Sequence, residues 1–409
     1  MKRILLLMRT RTYRARAFLE AASRLDLAVT VGTEREQPLV ALAPSGTLAL
    51  DFDDPRRAQQ QVVDFAERFP IDAVVGVDDD TTVLAAQAAE ALGLPHNSVE
   101  SVKAARYKDI MRLALAEAEL PSPRFAVVGT DEDPERVAAR QRYPCVLKPL
   151  SLSASRGVIR ADDPAGFVSA FDAVVSILAE AGLPDDDPGA HQLLVEDFIP
   201  GKELALEGLL VDGRLHTLTL FDKPDPLDGP FFEETIYVTP SRFSGEHQAQ
   251  VAKVVARAAQ ALGLHEGPIH AEVRLNPAGA WVVEVAARSI GGLCSKTLRF
   301  DGGLSLEEII LRQSARLDLG SLQRERQPAG VMMIPIPAAG RLHEVQGVAE
   351  AEAVEGVEEV DIAIPCGELV APLPRATRYL GFIFARADTS AAVEHALRQA
   401  HTKLRFEIA

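Results

Sequence analysis

One stretch, residues 267–292, constrains the fold of this chain more than any other: GPIHAEVRLNPAGAWVVEVAARSIGG. Apolar and polar residues alternate over residues 269–275, which is the period of a β-strand with one buried face. Turn-forming residues follow at 276–279, and a second β-rich run occupies residues 281–285. The stretch therefore predicts a β-hairpin.

The hairpin brings two carboxylates together if Leu275 pairs with Trp281, as a five-residue loop would require. In that register Glu272 lies opposite Glu284, and Arg288 follows on the same face if the strand stays extended. Facing like charges destabilise a sheet, so two glutamates there favour a cation between them. Hard oxygen ligands point to Mg²⁺, and an arginine beside them could bind phosphate or a developing oxyanion. The alternative is a solvated strand face of mixed charge, because the register is assumed.

Composition and charge narrow the class of protein. The chain has 409 residues, so two to four domains are expected, and its 47% hydrophobic and 25% charged content is that of a soluble globular protein. The net charge of −16 argues against a nucleic-acid-binding surface and against binding to anionic membranes. The three cysteines have neither metal-binding spacing nor a disulfide framework, which favours the cytoplasm. The apolar run at residues 4–8 is too short to span a bilayer and predicts a buried strand.

Strands and helices alternate in the first part of the chain, which predicts a parallel sheet in a βαβ arrangement. No GxGxxG follows the first strand, so a dinucleotide-binding oxidoreductase is disfavoured. The acidic run at residues 78–80 precedes a predicted helix and favours helix capping over a metal site. The predicted strands cover residues 2–8, 27–31, 48–52 and 71–77, and the predicted helices cover residues 14–25, 54–69 and 83–92.

A small-residue loop follows Lys148, which ends a predicted strand at residues 145–148. The loop, residues 149–157, reads PLSLSASRG. Small residues let backbone N–H groups approach phosphate oxygens, and Lys148 would add a point charge at the base of the loop. The GxxxxGK[ST] pattern of a Walker A loop is absent, and the same composition is typical of a flexible hairpin tip.

Three further segments have residue patterns that predict their structure. Residues 101–118 predict one helix, which contains Lys108. Residues 222–240 are rich in proline and aspartate and predict a loop whose Phe231 and Phe232 pack over another part of the molecule. From residue 327 onward, β-rich runs and a final helix predict a small α+β domain.

Three separated pieces of the chain occur together in an order that resembles the ATP-grasp superfamily. They are Lys148 with its loop, the run VEDFIPGKE at residues 195–203, and the run EVAARSIGG at residues 284–292. The resemblance is closest to the L-amino-acid ligase branch, whose members are carboxylate–amine ligases that form dipeptides. It implies a mixed α/β and α+β ATP-grasp fold. The expected domains are an N-terminal Rossmann-like parallel-sheet domain (1–96), a two-lobed ATP-binding core (97–325, with a lid at 123–190 and a large lobe at 191–325) and a C-terminal α+β domain (326–409).

The resemblance also implies a site that binds ATP and Mg²⁺, or Mn²⁺, with Arg288 and Lys148 as catalytic residues. The implied roles are Lys108 and Lys148 at the ATP phosphates; Ser151, Ser153, Ser155 and Gly157 in the loop that closes over them; Glu196, Asp197, Phe198 and Ile199 at the adenine; Glu203 at the ribose; Glu272 and Glu284 at the metal; and Glu234, Arg288, Gly291 and Gly292 near the substrates.

Ala286 departs from the pattern of many ATP-grasp enzymes, which carry an asparagine metal ligand at this position. An alanine there is similar to the amino-acid-ligase branch, and the number of metal ions stays open. The resemblance implies that a carboxylate is activated as an acyl phosphate and joined to an amine, that the partners are small molecules, and that the protein is a homodimer.

Two other functions stay open at this point: an enzyme of the same fold that activates bicarbonate or formate, and a non-catalytic nucleotide-binding regulator. The sequence does not identify the substrates. Four residues are possible substrate contacts, although a surface or core role is favoured for each: Lys223, Arg299, His216 and His270.

Overall fold

The computed structural model describes residues 1–35 and 45–409. The chain begins with a four-stranded sheet in the order β3-β2-β1-β4, and all its described pairings are parallel, as the alternation of strands and helices predicted. The apolar run of the first strand is fully buried, so it is a core strand and not part of a membrane span. The elements are β1 (Arg3–Leu7), α1 (Ala15–Arg24), β2 (Ala28–Thr33), β3 (Thr47–Ala49), α2 (Pro55–Arg68), β4 (Ala73–Gly76) and α3 (Asp79–Ala91).

The acidic run at residues 78–80 caps α3. The Asp78 side chain accepts from the backbone of Thr81, and the Thr81 side chain accepts from the Asp78 backbone N–H at 3.3 Å, which is a reciprocal capping box. The capping prediction is therefore confirmed.

Two short helices, α4 (Val99–Arg106) and α5 (Lys108–Glu117), follow where the sequence predicted one. The prediction of a single helix is wrong because Tyr107 is extended, with φ −99° and ψ 118°. The break makes Lys108 the first residue of α5. Its backbone N–H donates to the carbonyl of Leu150 at 3.0 Å, so the break ties α5 to the small-residue loop.

A small antiparallel sheet, in the order β5-β8-β6-β7, carries that loop. Its helix α7 has the length and hydropathy of a membrane span, but Phe167, Phe171 and Val174 are buried in the core of this small sheet. The elements are β5 (Phe125–Gly129), α6 (Pro134–Ala138), β6 (Cys145–Pro149), β7 (Ile159–Ala161), α7 (Pro164–Ala181) and β8 (Gln192–Asp197).

The largest sheet has eight strands in the order β13-β12-β9-β10-β11-β14-β18-β16. Residues 222–240 are not wholly a loop, because they contain β11. All four residues of β11 are buried, so the strand shows no alternation and could not be detected by period. The elements up to β14 are β9 (Lys202–Val211), β10 (Arg214–Asp222), β11 (Ile236–Thr239), α8 (Gly245–Ala261), β12 (Gly267–Asn276), β13 (Gly279–Ala286) and α9 (Leu306–Ser314).

The C-terminal segment contributes three strands to this same sheet and forms a small three-stranded sheet, β17-β15-β19, beside it. β14 pairs with β11 on one side and with β18 on the other. The elements are β14 (Ala329–Ile334), β15 (Gly340–Gln346), α10 (Val348–Glu352), β16 (Val357–Ile362), β17 (Leu369–Val370), β18 (Gly381–Arg386), α11 (Ser390–His401) and β19 (Arg405–Ile408).

The hairpin of β12 and β13 turns more tightly than the sequence suggested. Asn276 pairs with Gly279, which leaves two residues in the turn instead of five. Leu275 therefore pairs with Ala280, and the expected pairing with Trp281 is wrong.

Candidate active site

A cleft with a volume of about 430 Å³ lies where the parallel sheet, the small antiparallel sheet and the eight-stranded sheet meet. Most of the residues predicted for the site line it, although they come from distant parts of the chain. Those that line it are Lys108, Lys148, Ser153, Ser155, Glu196, Asp197, Phe198, Ile199, Glu203, Glu234, Glu272, Glu284, Arg288, Gly291 and Gly292.

Ser151 and Gly157 do not line the cleft, although they belong to the same loop. Ser151 is buried, and its hydroxyl has no hydrogen-bond partner among the described residues. Gly157 has φ +74°, and a Cβ there would lie 2.8 Å from the ring of Pro149. Its N–H donates to the carbonyl of Pro374 at 2.9 Å, so the end of the loop is attached to the C-terminal segment.

A β-bulge sets the register of the two hairpin carboxylates. Val273 pairs with Val282, but the next pair is Glu272 with Glu284, so Val283 is an extra residue in β13. Without the bulge, Val283 would face Glu272, and Glu284 would point to the opposite face of the sheet. The expected pairing of the glutamates is therefore correct, but it arises from a shorter turn and an added residue.

Arg112, on α5, binds the bulge. Its Nη2 donates to the carbonyl of Val283 at 2.6 Å, and the N–H of the adjacent Val282 donates to the carbonyl of Pro121 at 3.0 Å. β13 is an edge strand, so these groups supply the hydrogen bonds that a neighbouring strand would otherwise provide. Arg112 is fully buried.

The same arginine takes part in a buried ion-pair group with Glu196 and Lys148. Arg112 Nε lies 2.7 Å from one carboxylate oxygen of Glu196, and Lys148 Nζ lies 2.7 Å from the other. Burial alone would raise the pKa of Glu196, but the two cations outweigh it and lower the pKa to about 2. Both oxygens of this carboxylate are thus occupied by protein groups.

Lys108 has a more distant carboxylate partner than Lys148. Its Nζ donates to the carbonyl of Leu152 at 2.9 Å and lies 3.7 Å from Glu284. Burial lowers the pKa of Lys108, and the charge of Glu284 only partly opposes this. Lys108 therefore has donor capacity directed at the cleft.

Three carboxylates meet at Lys223, which the sequence had named only as a possible substrate contact. Its Nζ lies 2.8 Å from Glu203, 2.5 Å from Glu234 and 2.7 Å from Glu272. Burial lowers the pKa of Lys223, but the three carboxylates outweigh it and raise the pKa. Burial raises the pKa of Glu234 to about 7. The lysine itself is behind the lining of the cleft, whereas the three glutamates line it.

Arg288 forms a two-pronged ion pair with Asp79 at the start of α3. Its Nε and Nη2 lie 2.9 Å and 2.7 Å from the two carboxylate oxygens. Burial alone would raise the pKa of Asp79, but Arg288 and Arg106 lower it to about 2. Sequence reasoning assigned this acidic run to capping alone and missed the contact with Arg288.

Glu207 fixes the chain that follows β13, and it is another residue that sequence reasoning missed. Its buried carboxylate accepts from the N–H of Ile290 at 3.0 Å and lies 3.2 Å from Nδ1 of His270. Burial lowers the pKa of His270, but hydrogen bonds to Glu207 and Glu272 raise it to about 8. This arrangement positions the backbone that continues into Gly291 and Gly292.

Of the four possible substrate contacts, His270 lines the cleft, and His216, Lys223 and Arg299 do not. Arg299 forms a surface ion pair with Glu358 at 3.0 Å.

One part of the cleft lining is an aromatic cluster. Phe198 and Phe232 lie with their ring centroids 6.4 Å apart, and Arg274 lies 4.9 Å from the centre of the Phe198 ring. Phe232 comes from the segment that the sequence expected to pack over another part of the molecule. The cleft lining also includes Tyr13, Ile290, Cys294, Met333 and Tyr379.

Family models match three parts of the chain. An ATP-grasp N-terminal domain matches residues 19–96, an ATP-grasp domain matches residues 141–297, and an L-amino acid ligase C-terminal domain 2 matches residues 332–409. These matches follow the order of the predicted regions.

Similar proteins include several ligases. The chain is 26% identical to alanine–anticapsin ligase of Bacillus subtilis (strain 168), and the match covers 62% of this chain and 56% of that protein. It is 28% identical to dapdiamide A synthase of Enterobacter agglomerans, and that match covers 48% of this chain and 45% of the synthase. The match therefore spans little more than half of the first of these proteins. The crystal structure of L-amino acid ligase from Bacillus licheniformis superposes with a TM-score of 0.85 at 27% identity, covering 100% of this chain and 99% of that one. The predicted fold class is thus confirmed, and the chain belongs to the ATP-grasp superfamily, in its L-amino-acid ligase branch.

Proposed function

We propose that the protein is an ATP- and Mg²⁺-dependent carboxylate–amine ligase. It would activate a carboxylate, that of an amino acid, as an acyl phosphate and join it to an amine, giving a dipeptide or amide, ADP and phosphate. The observation that carries the proposal is the pairing of Glu272 with Glu284 on one face of a cleft that also holds Lys108, Lys148 and Arg288. The names of the similar ligases support the same reaction class.

The residues in the cleft fit a magnesium ion. Glu272 and Glu284 are direct cross-strand neighbours with hard oxygen ligands, and the side chain of Glu284 is 32% exposed. Its closest cation, Lys108, stays 3.7 Å away, so the carboxylate can accept a ligand. Mg²⁺ held by these two glutamates would neutralise charge on the ATP phosphates. Ala286 offers no ligand atom.

The cleft also has groups suited to each part of ATP. Lys108 and Lys148 would bind the phosphates. The buried hydroxyl of Ser151, a residue of the loop itself, would be a further donor, because it lacks a partner among the described residues. Glu203 would accept hydrogen bonds from the ribose. Phe198 and the backbone of residues 196–199 would bind the adenine at the aromatic cluster of the cleft.

The reaction would proceed in two displacements. An oxygen of the substrate carboxylate attacks the γ-phosphorus, and the bond between that phosphorus and ADP breaks, which gives the acyl phosphate. The nitrogen of the amine then attacks the acyl carbon, the bond between that carbon and the phosphate oxygen breaks, and the departing phosphate takes the proton that the nitrogen loses. Arg288, held in place by Asp79, would stabilise the oxyanion that forms on the acyl oxygen. The backbone amides of Gly291 and Gly292, which also line the cleft, would assist.

Water must be excluded, because it would hydrolyse the acyl phosphate. The small-residue loop, with Ser153 and Ser155 facing the cleft, would act as the cover. The Gly157 contact with Pro374 attaches it to the C-terminal segment, and an ion pair between Arg375 and Glu180 joins α7 to the same segment.

We also propose the cytoplasm as the location, because Cys145, Cys294 and Cys366 are all free thiols. The substrates would be small molecules. The homodimer expected from the resemblance stays a prediction, which size-exclusion chromatography with light scattering would test.

The function is tested by measuring ADP and phosphate release from Mg-ATP with single amino acids, amino-acid pairs, bicarbonate and formate. Release that requires two amino acids, with an amide product detected by mass spectrometry, is the expected result. Release with bicarbonate or formate alone would contradict it and assign the enzyme to the carboxylase-like or formyltransferase-like alternative. ATP binding with no release under any condition would favour the non-catalytic regulator.

A further inference from the structure

Lys223 follows β10 and has a side chain that is only 3% exposed. Its ammonium group has three N–H donors and three carboxylate acceptors, one each from Glu203, Glu234 and Glu272, at 2.8, 2.5 and 2.7 Å. The donor capacity of the lysine is therefore used completely within the protein, and no donor remains for a substrate.

The three glutamates would form a cation site without this lysine. One oxygen from each lies within 4.8 Å of the other two, a spacing that oxygen ligands adopt around a divalent ion. Other cations reach the group only partly: Arg274 binds the second oxygen of Glu203 at 2.9 Å, and His270 Nε2 is 3.9 Å from Glu272. Glu203 is buried and the other two carboxylates are half-buried, so three such charges with no cation among them would be strongly unfavourable.

We infer that Lys223 is a positioning residue that acts as a built-in cation. Its ammonium occupies the space that a divalent ion would otherwise take, and it thereby restricts metal binding to Glu272 and Glu284. It also holds three carboxylates that face different ligands. The identity of those ligands rests on the proposed function: ribose at Glu203, substrate at Glu234 and metal at Glu272.

The test is the number of Mn²⁺ ions bound per full-length chain, counted by electron paramagnetic resonance without nucleotide. Lys223→Met removes the ammonium and retains most of the side-chain volume. We expect this variant to bind one more Mn²⁺ than the unmodified protein. Adding Glu234→Gln to it removes one ligand charge and should weaken the extra ion about tenfold or more.

Two control variants separate this effect from general changes in charge. Lys223→Arg keeps a cation at the site and should bind no extra ion. Lys296→Met removes a lysine that pairs with Glu359 at the surface, at 2.8 Å, and should also leave the count unchanged. A folded Lys223→Met protein with the same Mn²⁺ count as the unmodified protein would overturn the inference.

If Lys223→Met does not fold, the same count on Lys223→Gln, which keeps two donors for the carboxylates, decides the question. The count is independent of catalysis. An unmodified protein that releases no ADP would contradict the proposed function and leave the comparison of ion counts intact. If the unmodified protein is fully active and Lys223→Met binds no extra ion, only the inferred role of Lys223 is contradicted.

Discussion

The charged and polar groups around the cleft fall into two sets that differ in whether other protein groups pair with them. In the closed set, every charge has a close partner inside the protein: Glu196 with Arg112 and Lys148, and Lys223 with its three glutamates. In the open set, the one cation near Glu284 in the described part of the chain is Lys108, at 3.7 Å, and the hydroxyl of Ser151 has no partner among the described residues.

The difference follows from exposure. A buried charge without a partner is strongly destabilising, so the deepest carboxylates are found beside cations. Glu284 can stay open because its side chain reaches solvent in the cleft. Closed groups therefore fix the shape of the cleft, and open groups remain available to ligands. Changes in the open set should affect activity with little loss of stability, whereas changes in the closed set, which includes proposed ligands such as Lys148 and Glu272, should lower stability as well.

The largest expected effect is that of Glu284→Ala, which removes the open carboxylate. ADP release should fall at least about 10³-fold, because the charge of the phosphates is no longer neutralised at this position. The melting temperature should hardly change, because no close ion pair is lost. Glu246→Ala, at an exposed position of α8, is the control. If ADP release by Glu284→Ala is as fast as that of the unmodified protein, the assignment of Glu284 as an open group that binds a ligand is wrong.

Arg112→Met should instead act on stability. It leaves Glu196 with one cation and removes the hydrogen bond to the bulged Val283, so we expect the free energy of unfolding to fall by about 3 to 5 kcal/mol. Urea denaturation measures this. Adding Glu196→Gln should restore none of the loss, because the buried Lys148 would then lack its carboxylate partner. If Arg112→Met is as stable as the unmodified protein, the distinction between the two sets is wrong.

Acid should weaken the closed set through Glu196. Its pKa is lowered from 4.5 to about 2 in the folded protein, so its contribution to stability is present above pH 4.5 and is lost as the pH falls through 2. The contribution is about 3 kcal/mol. The difference in unfolding free energy between the unmodified protein and Glu196→Gln should therefore be constant above pH 5 and shrink toward pH 2. A difference that is constant over the whole range would contradict the assignment.

Ser151→Ala should have the smallest effect. No hydrogen bond to a described residue is lost, so the free energy of unfolding should change by less than about 0.5 kcal/mol, whereas the KM for ATP should rise about fivefold if the hydroxyl binds phosphate. Ser169→Ala, on α7, whose hydroxyl donates to the carbonyl of Ala165, is the matched control. A large loss of stability in the Ser151 variant would show that this hydroxyl belongs to the closed set.

Local patterns in the sequence predicted much of the fold. Alternation identified β12, and the succession of strands and helices identified the parallel sheet, because both depend on residues close together in the chain. The order of three separated motifs predicted which residues meet in the cleft. The hairpin is instructive: the turn is shorter than expected and the bulge at Val283 adds one residue, so two errors cancelled and the Glu272–Glu284 pair was still found.

The ion pairs of the closed set were missed, although most of its carboxylates were predicted site residues, because the partners are far apart in sequence and have no shared period. Lys223 contacts residues up to 49 positions away, and Arg112 contacts a carbonyl 171 positions away. One signal was present in the sequence. Arg112 lies four residues after Lys108 and next to the buried Met111, so it is a charged residue on the apolar side of its helix. Such a residue needs a buried partner, but the sequence does not say which one.

The eight-stranded sheet has a consequence for how the protein is made. β11 pairs with β14, which is synthesised about 90 residues later, so a nascent chain on the ribosome cannot complete this sheet until most of the protein has emerged. Until then β11 presents an open strand edge whose backbone groups can pair with another polypeptide. Ribosomal stalling between these two strands should therefore yield aggregation-prone fragments, and engineered versions that exchange the C-terminal segment should retain a matching β14 to protect that edge.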